Sequence, residues 1–353
     1  MTLYLLITID TETSIGYTGK DYKPIPPEIR IQGKIKKKYY GIPLIMDLLE
    51  KHSIKGVFFL NAYEYFYHKD KIKKIAQEIK NRGHEVQLHV HKEWMCFKGN
   101  KNPKPGEHIK CLPLGSTKKQ SEIIKIGKNL IQEWTGEMPI AHRGGSYKAD
   151  LNTIKALKKN NIPIDSSINS PSHELSRYFK INQVSEKDSI IQIPLYNFQV
   201  TWPKKKYRQF DIEANNLSNL KFLVKQAKKN NISPVILMMH SWSLMKGNKY
   251  KYSELNKNIY KPDKKHIKRF DKFLAYVSKD PEVKAITMKE FYSLYKKDKN
   301  QFKNNSHIPK ENYFLRLQRS FARFSYQKSE RNFALANCIL FILFGAIIYK
   351  VFF

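Results

Sequence analysis

The sequence predicts an α/β protein whose mainly parallel sheet closes toward a barrel, followed by a C-terminal transmembrane helix. Three observations carry this expectation. Apolar, strand-like runs alternate with amphipathic helical stretches along most of the 353 residues, the pattern of strand–helix–strand crossovers. Roughly eight such repeats favour closure over an open sheet. At the end, FALANCILFILFGAIIYKVFF (333–353) is apolar except for Asn337 and Lys350, about the 20 residues that a membrane span needs.

The strands read in order as LYLLITI (3–9), KGVFFL (55–60), EVQLHV (85–90), SIIQIPL (189–195), PVILMMH (234–240) and KAITM (284–288), with shorter candidates at PIAH (139–142) and IPID (162–165). Between them, 42–52, 70–83, 119–134, 151–161, 215–231 and 264–279 carry helical periodicity. Several end in Gly or Asn, as helix C-termini do. Two long loops, 13–40 and 97–117, follow strand C-terminal ends, the working face of such folds. His108 and Cys111 lie in the second and read as ordinary loop residues. These boundaries give a catalytic barrel over 1–298, a basic juxtamembrane linker over 299–332 and a tail anchor over 333–353.

Composition limits the function classes. The chain is 41% hydrophobic and 13% aromatic, which is globular rather than disordered. Lys and Arg number 64 against 31 acidic residues, a formal charge of +33. That surplus suits an anionic partner, but no RNA-recognition, zinc-finger or helix-turn-helix signature accompanies it, so no nucleic acid is expected. Three scattered cysteines exclude a disulfide framework. MTLYLLITID has no basic n-region or cleavage site and reads as a core strand, not a signal peptide. The bulk of the chain is therefore expected in a reducing cytoplasm.

The strand ends carry the chemistry. In GHEVQLHVHKEW, His89, His91 and Glu93 alternate and so leave one face of a strand. ITIDTE does the same with Asp10 and Glu12, while PVILMMH ends on His240. AHRGGSY places Arg143, Gly144 and Gly145 after a short strand, and PIDSS places Asp165. Each residue alone has an ordinary explanation as a cap, a surface pair or a satisfied core histidine. Five strand ends bearing such groups together describe a site.

In this order the segments resemble the motifs of the polysaccharide deacetylases with the NodB homology domain (carbohydrate esterase family 4). ITIDTE is similar to the first motif, GVFFLNA to the second-strand signature and GHEVQLHVHKEW to the histidine motif. AHRGGSY resembles the arginine motif, PIDSS the Asp-Ser motif and LMMHSWS the closing histidine motif. The resemblance spans roughly residues 1–295. It implies a distorted (β/α) barrel, a bound divalent metal and hydrolysis of an N-acetyl group on a sugar. Two departures stand out: Thr11 replaces the second of two adjacent aspartates, and Glu93 occupies the place of the second histidine. The ligand set carried over is then Glu12, His89 and His91, with Glu93 in reserve. Zn²⁺ is the first choice of metal, with Mn²⁺, Co²⁺ or Fe²⁺ as alternatives.

The resemblance also assigns roles. Asp10, held by Arg143, is the general base; His240 is the general acid, with Asp165 to orient it. A backbone N–H in the Arg143–Gly145 region, Gly144 included, would serve the oxyanion; Trp94, Tyr147 and Trp242 flank the motifs in sequence and either stack on the sugar or pack the barrel rim. The anchor and its basic flank predict a single-pass protein of the bacterial inner membrane with its domain in the cytoplasm. Anionic lipids and a polyprenyl-phosphate-linked amino sugar are then the expected partners. A soluble sugar nucleotide, deacetylated or deformylated, and a catalytically silent carbohydrate-binding barrel are the alternatives.

Overall fold

The structure is a computed structural model, in which residues 2–17, 22–99, 115–200, 205–247, 260–302, 306–322 and 331–339 are described. The main sheet is built, in chain order, from β1 (Leu3–Thr11), β2 (Val57–Asn61), β3 (Glu85–Val90), β4 (Ala141–Gly144), β5 (Ile164–Asp165), β6 (Ser185–Lys187), β7 (Ile190–Gln192), β8 (Val235–His240) and β9 (Val283–Ala285). Their spatial order is β6-β7-β5-β4-β3-β2-β1-β8, with β9 against the first residues of β1. Every pairing is parallel except β6 with β7.

The helices are α1 (Ile42–Lys51), α2 (Asp70–Asn81), α3 (Thr117–Thr135), α4 (Leu151–Lys159), α5 (Leu217–Lys229), α6 (Lys264–Ser278), α7 (Met288–Lys297) and α8 (Tyr313–Ala322). Helix α2 shows why they form: Ile72, Ile75, Ala76 and Ile79 recur along one face and are buried. Helix α4 starts at a capping box between Asp150 and Thr153. Helix α7 lies outside the periodic stretches read from sequence; a capping box between Thr287 and Glu290 starts it, and Met288 and Phe291 are buried.

Because side chains alternate along a strand, the sheet serves two cores. Leu5, Ile7 and Ile9 of β1, with Val235, Leu237 and Met239 of β8, face the surrounding helices. Leu6, Val57, Phe59, Ile164, Ile191, Ile236 and Met238 fill the concave side, which Met288 and Phe291 of α7 join. Above that apolar filling the inward positions of β1 become Thr8 and Asp10. The expected barrel is thus a curled parallel sheet that does not close by strand pairing. Residues on either side of the gap bond to the sheet edges instead: Ile193 N–H donates to Asp165 O, Met238 N–H to Phe210 O and Ile212 N–H to Met238 O.

The membrane anchor is corrected. No helix among the described residues is long and apolar enough to cross a membrane, so the inner-membrane location loses its basis. Helical residues 331–339 are docked on protein instead. Phe333, Ala334 and Asn337 are buried, the Arg316 guanidinium lies 4.4 Å over the Phe333 ring, and Tyr313 Oη donates to Asn337 Oδ1. Asn337, the one polar interruption in the first half of the apolar run, is the residue that makes this contact. Residues 340–353 lie outside the described residues, as do His108 and Cys111. Ahead of this helix, α8 packs on α5 through a buried ion pair: Arg319 Nε donates to Glu311 Oε1 at 2.8 Å, and Asn219 Nδ2 donates to the same oxygen at 2.6 Å.

Candidate active site

Strand register assembles the site. Asp10 pairs with His240 across β1–β8, and His89 pairs with Asn61 and Arg143 across β2–β3–β4. Parallel strands of matched height therefore put the ligand, base and acid candidates on one rim.

At the centre of the rim, the ligand atoms of Glu12, His89 and His91 all lie within 4.8 Å of one another. His89 Nδ1 is 2.9 Å from Arg143 O; a carbonyl only accepts, so Nδ1 carries the proton and Nε2 presents its lone pair. That Nε2 is 3.0 Å from Glu12 Oε2. His91 repeats the arrangement, with Nδ1 2.5 Å from Glu93 Oε1 and Nε2 2.5 Å from Glu12 Oε2. Burial opposes charge on both members of the Glu12–His91 pair, yet their attraction prevails: Glu12 is held well below the usual carboxylate range and His91 well above the usual imidazole range. Two imidazole nitrogens turned on one carboxylate oxygen want a cation between them. The donor set, two nitrogens and one oxygen, fits a divalent metal.

In this geometry Glu93, the reserve ligand, faces His91 Nδ1 and not the nitrogen turned to Glu12, the position of an outer partner of a ligand. Gly145 is required on the other side. A Cβ there would sit 2.7 Å from the His91 ring, so only glycine lets the arginine motif pack against the histidine motif.

Beside this cluster, Arg143 is fully buried and Asp10 nearly so. Arg143 Nη1 donates to Asp10 Oδ1 at 2.6 Å and to Thr8 Oγ1 at 3.1 Å, while Nε and Nη2 reach Ser166 O and Oγ at 3.2 Å. The guanidinium lies 4.1 Å over the Phe59 ring. A buried charge with its hydrogen bonds made has one available geometry, and that geometry fixes Asp10.

His240 departs from expectation in its partner. Its Nδ1 donates to Glu213 Oε1 at 2.8 Å, and Ser243 Oγ donates to the same oxygen at 2.6 Å. Asp165 is engaged elsewhere, 2.7 Å from His142 Nδ1 and accepting from Ser167 Oγ at 2.7 Å. Burial works to neutralise both members of the His240–Glu213 pair; their mutual attraction holds Glu213 down to about 2 and raises His240. Glu213 is not legible in the sequence because it sits in DIEANN, a short connection ahead of α5, where no strand end marks it.

The aromatic and glycine expectations change as well. Trp94 is buried against His68 and Phe97. Trp242 stacks on the His240 ring at 4.4 Å, and the Arg30 guanidinium covers its other face at 3.5 Å. Neither ring face is open to a sugar. Gly144 N–H donates to Ser167 Oγ at 3.0 Å, so it is not available to an oxyanion. Tyr147 remains at the site, half-buried, with its hydroxyl 3.2 Å from Gln209 Oε1. Burial first, then Asp10, pushes its phenol well up. Ser146 and Tyr147 both adopt positive φ, +52° and +60°, a strained turn of the kind found beside reactive groups.

Against solved structures, the chain aligns with a Mycobacterium smegmatis protein assigned as a polysaccharide deacetylase, at TM-score 0.54 and 13% identity over 84% of this chain and 91% of that one. The fold is that of the polysaccharide deacetylases. A Pseudomonas aeruginosa protein given the same assignment matches this deacetylase fold at TM-score 0.50 and 10% identity, over 84% and 91% of the two chains. The Puue allantoinase matches at 0.51 and 10%, also over 84% and 91%. No protein-family model and no curated protein sequence matches the chain. Since one deacetylase-fold neighbour is named for a different activity, the site and not the fold has to argue function.

Proposed function

We propose that the protein is a metal-dependent hydrolase that removes an N-acetyl or other small N-acyl group from an amino sugar. The observation that carries this is the juxtaposition of the Asp10–Arg143 pair, the His240–Glu213 pair and the Glu12/His89/His91 cluster on one rim. A binding module has no use for a fixed base, a charged imidazole and a ligand set together.

Glu12, His89 and His91 would hold the metal, Zn²⁺ first by the nitrogen-rich donor set, and a metal there supplies Lewis acidity to the acyl carbonyl. The chain's own groups supply the proton transfers. Asp10 takes a proton from the attacking water as its oxygen bonds to the acyl carbon. The C–N bond then breaks, and the His240 proton passes to the leaving nitrogen, giving free amine and carboxylate. Arg143 keeps the Asp10 carboxylate in place, and Glu213 keeps the proton on His240 and orients the ring through Nδ1.

The surplus of 33 positive charges favours a phosphate-bearing acceptor, either a sugar nucleotide or a polyprenyl-phosphate-linked amino sugar. The test is acetate or formate release by the Zn²⁺-reconstituted full chain, with both substrate types and with unphosphorylated N-acetyl amino sugars. Release from the phosphate-bearing sugars above the others supports the reading. Binding without release from any of them leaves the silent barrel as the function.

Glu213→Gln gives a separate expectation. With the carboxylate gone, burial acts on His240 opposed only by the more distant pull of Asp10 and Glu12, and its pKa falls. The acid form is the active one, so the alkaline limb of kcat moves to lower pH while the acid limb stays. A pH–rate profile measures it, and an unmoved alkaline limb would separate Glu213 from the proton donor.

A further inference from the structure

The parallel ladder ends before the residues that matter most. Its last pairs are Thr11 with Leu60 on β1–β2, and Asn61 with His89 on β2–β3. Glu12 and His91 both lie beyond these pairs, so no ladder hydrogen bond sets their spacing. The strand between them, β2, runs into a short 3-10 turn at Ala62–Glu64, and two side chains from this stretch fill the notch. Glu64 Oε1 accepts from Thr13 N–H at 2.7 Å, next in the chain to Glu12, and from Asn61 Nδ2 at 2.9 Å. Asn61 Oδ1 in turn accepts from His91 N–H at 3.4 Å. Asn61 and Glu64 are both fully buried.

We propose that Asn61 and Glu64 form a side-chain clamp, continuing the ladder past its end, that sets the distance between Glu12 and His91; they are positioning residues for the metal ligands. The inference rests on the metal reading above. Two features suit the clamp. Its atoms are enclosed, so water cannot replace them without opening the core. Burial also pushes the Glu64 carboxyl up to about 8 while Glu12 is held well below the usual carboxylate range, so of the two Glu12 is the one suited to a cation.

The test uses the full chain and four proteins: parent, Glu64→Ala, Glu64→Gln and Asn61→Ala. Zn²⁺ affinity is measured by chelator competition, and amide exchange is measured in the metal-free proteins over the peptides containing Thr13 and His91. The clamp predicts Zn²⁺ affinity lower by about 10–100-fold in both Ala variants, the usual effect of removing an outer partner of a ligand. Glu64→Gln retains the acceptor that Thr13 and Asn61 use, and is expected to keep the parent's affinity. In Asn61→Ala the His91 peptide exchanges faster while the Thr13 peptide keeps its protection. That variant carries the test if Glu64→Ala does not fold. Parent affinity in Asn61→Ala and Glu64→Ala, or a Glu64→Gln loss as large as that of Glu64→Ala, overturns the proposal. A parent that binds no Zn²⁺ overturns the metal reading itself, a different result from a parent that binds and variants that do not differ.

Discussion

Asp10→Asn is expected to lower kcat by about 10²–10⁴, the usual contribution of a positioned general base, and to destabilise the fold as well. The two effects have separate causes. Asparagine is nearly isosteric and can still accept from Arg143, but it cannot take a proton from water. The stability loss comes from the other side of the pair. Arg143 has no exposed surface, and its 2.6 Å bond to Asp10 is with a carboxylate. Leaving a buried guanidinium without its counter-charge costs about 3–5 kcal/mol. Chemical denaturation measures the second effect, and steady-state kinetics on the folded fraction measures the first. A double variant separates them further. Arg143→Met removes the stranded charge, so Asp10→Asn with Arg143→Met is expected to be more stable than the sum of the single changes while regaining no activity. If Asp10→Asn stays within tenfold of the parent in kcat, Asp10 is a structural partner of Arg143 and the base lies elsewhere.

What is legible in this sequence follows from what local sequence can encode. Period-two alternation fixes which residues share a strand face, so alternation alone groups Asp10 with Glu12 and His89 with His91. Register between strands is a tertiary property, yet here it follows from the same arrangement: Asp10 and His89 sit at the last inward positions of their strands, Glu12 and His91 follow just past the strand ends, and parallel strands of similar length bring these ends to one height. Partnerships with no periodic signal are not legible. Asp165 also ends a strand, which on sequence grounds makes it a partner for His240. In the fold β5 lies four strands from β1, beyond β4, and its carboxylate turns to His142 on the adjoining strand. Glu213 comes from the short connection DIEANN ahead of α5, where alternation gives no guide. The tryptophans mislead for a third reason. Trp94 and Trp242 flank the motifs in sequence, but a large ring next to a strand end gains more by packing under the rim or on a neighbouring ring than by standing in solvent. The anchor expectation fails over 331–339, where Phe333, Ala334 and Asn337 are buried against protein, a tertiary contact that an apolar run does not reveal.

The second large effect is on metal content. Full-length protein reconstituted with Zn²⁺ is expected to hold a single ion per chain at the cluster of Glu12, His89 and His91, and His89→Ala, His91→Ala or Glu12→Ala each to lose it. The outcome for Glu93→Gln discriminates, because sequence spacing and geometry assign it differently. Spacing places Glu93 where the deacetylase resemblance has a histidine, which would make it a ligand whose loss empties the site. In the structure the Glu93 carboxylate faces His91 Nδ1, on the opposite side of the ring from the nitrogen that faces Glu12. An imidazole cannot offer one lone pair in both directions while neutral: the nitrogen that donates to Glu93 leaves the other to coordinate. Glutamine at 93 can still accept through its amide oxygen, so the tautomer survives but the basicity lent by the carboxylate does not. Zn²⁺ affinity should then fall by about 10–100-fold without vanishing. Elemental analysis of the five proteins, followed by competition titration of Glu93→Gln, decides between the two. An empty Glu93→Gln beside a loaded His91→Ala would exchange their roles.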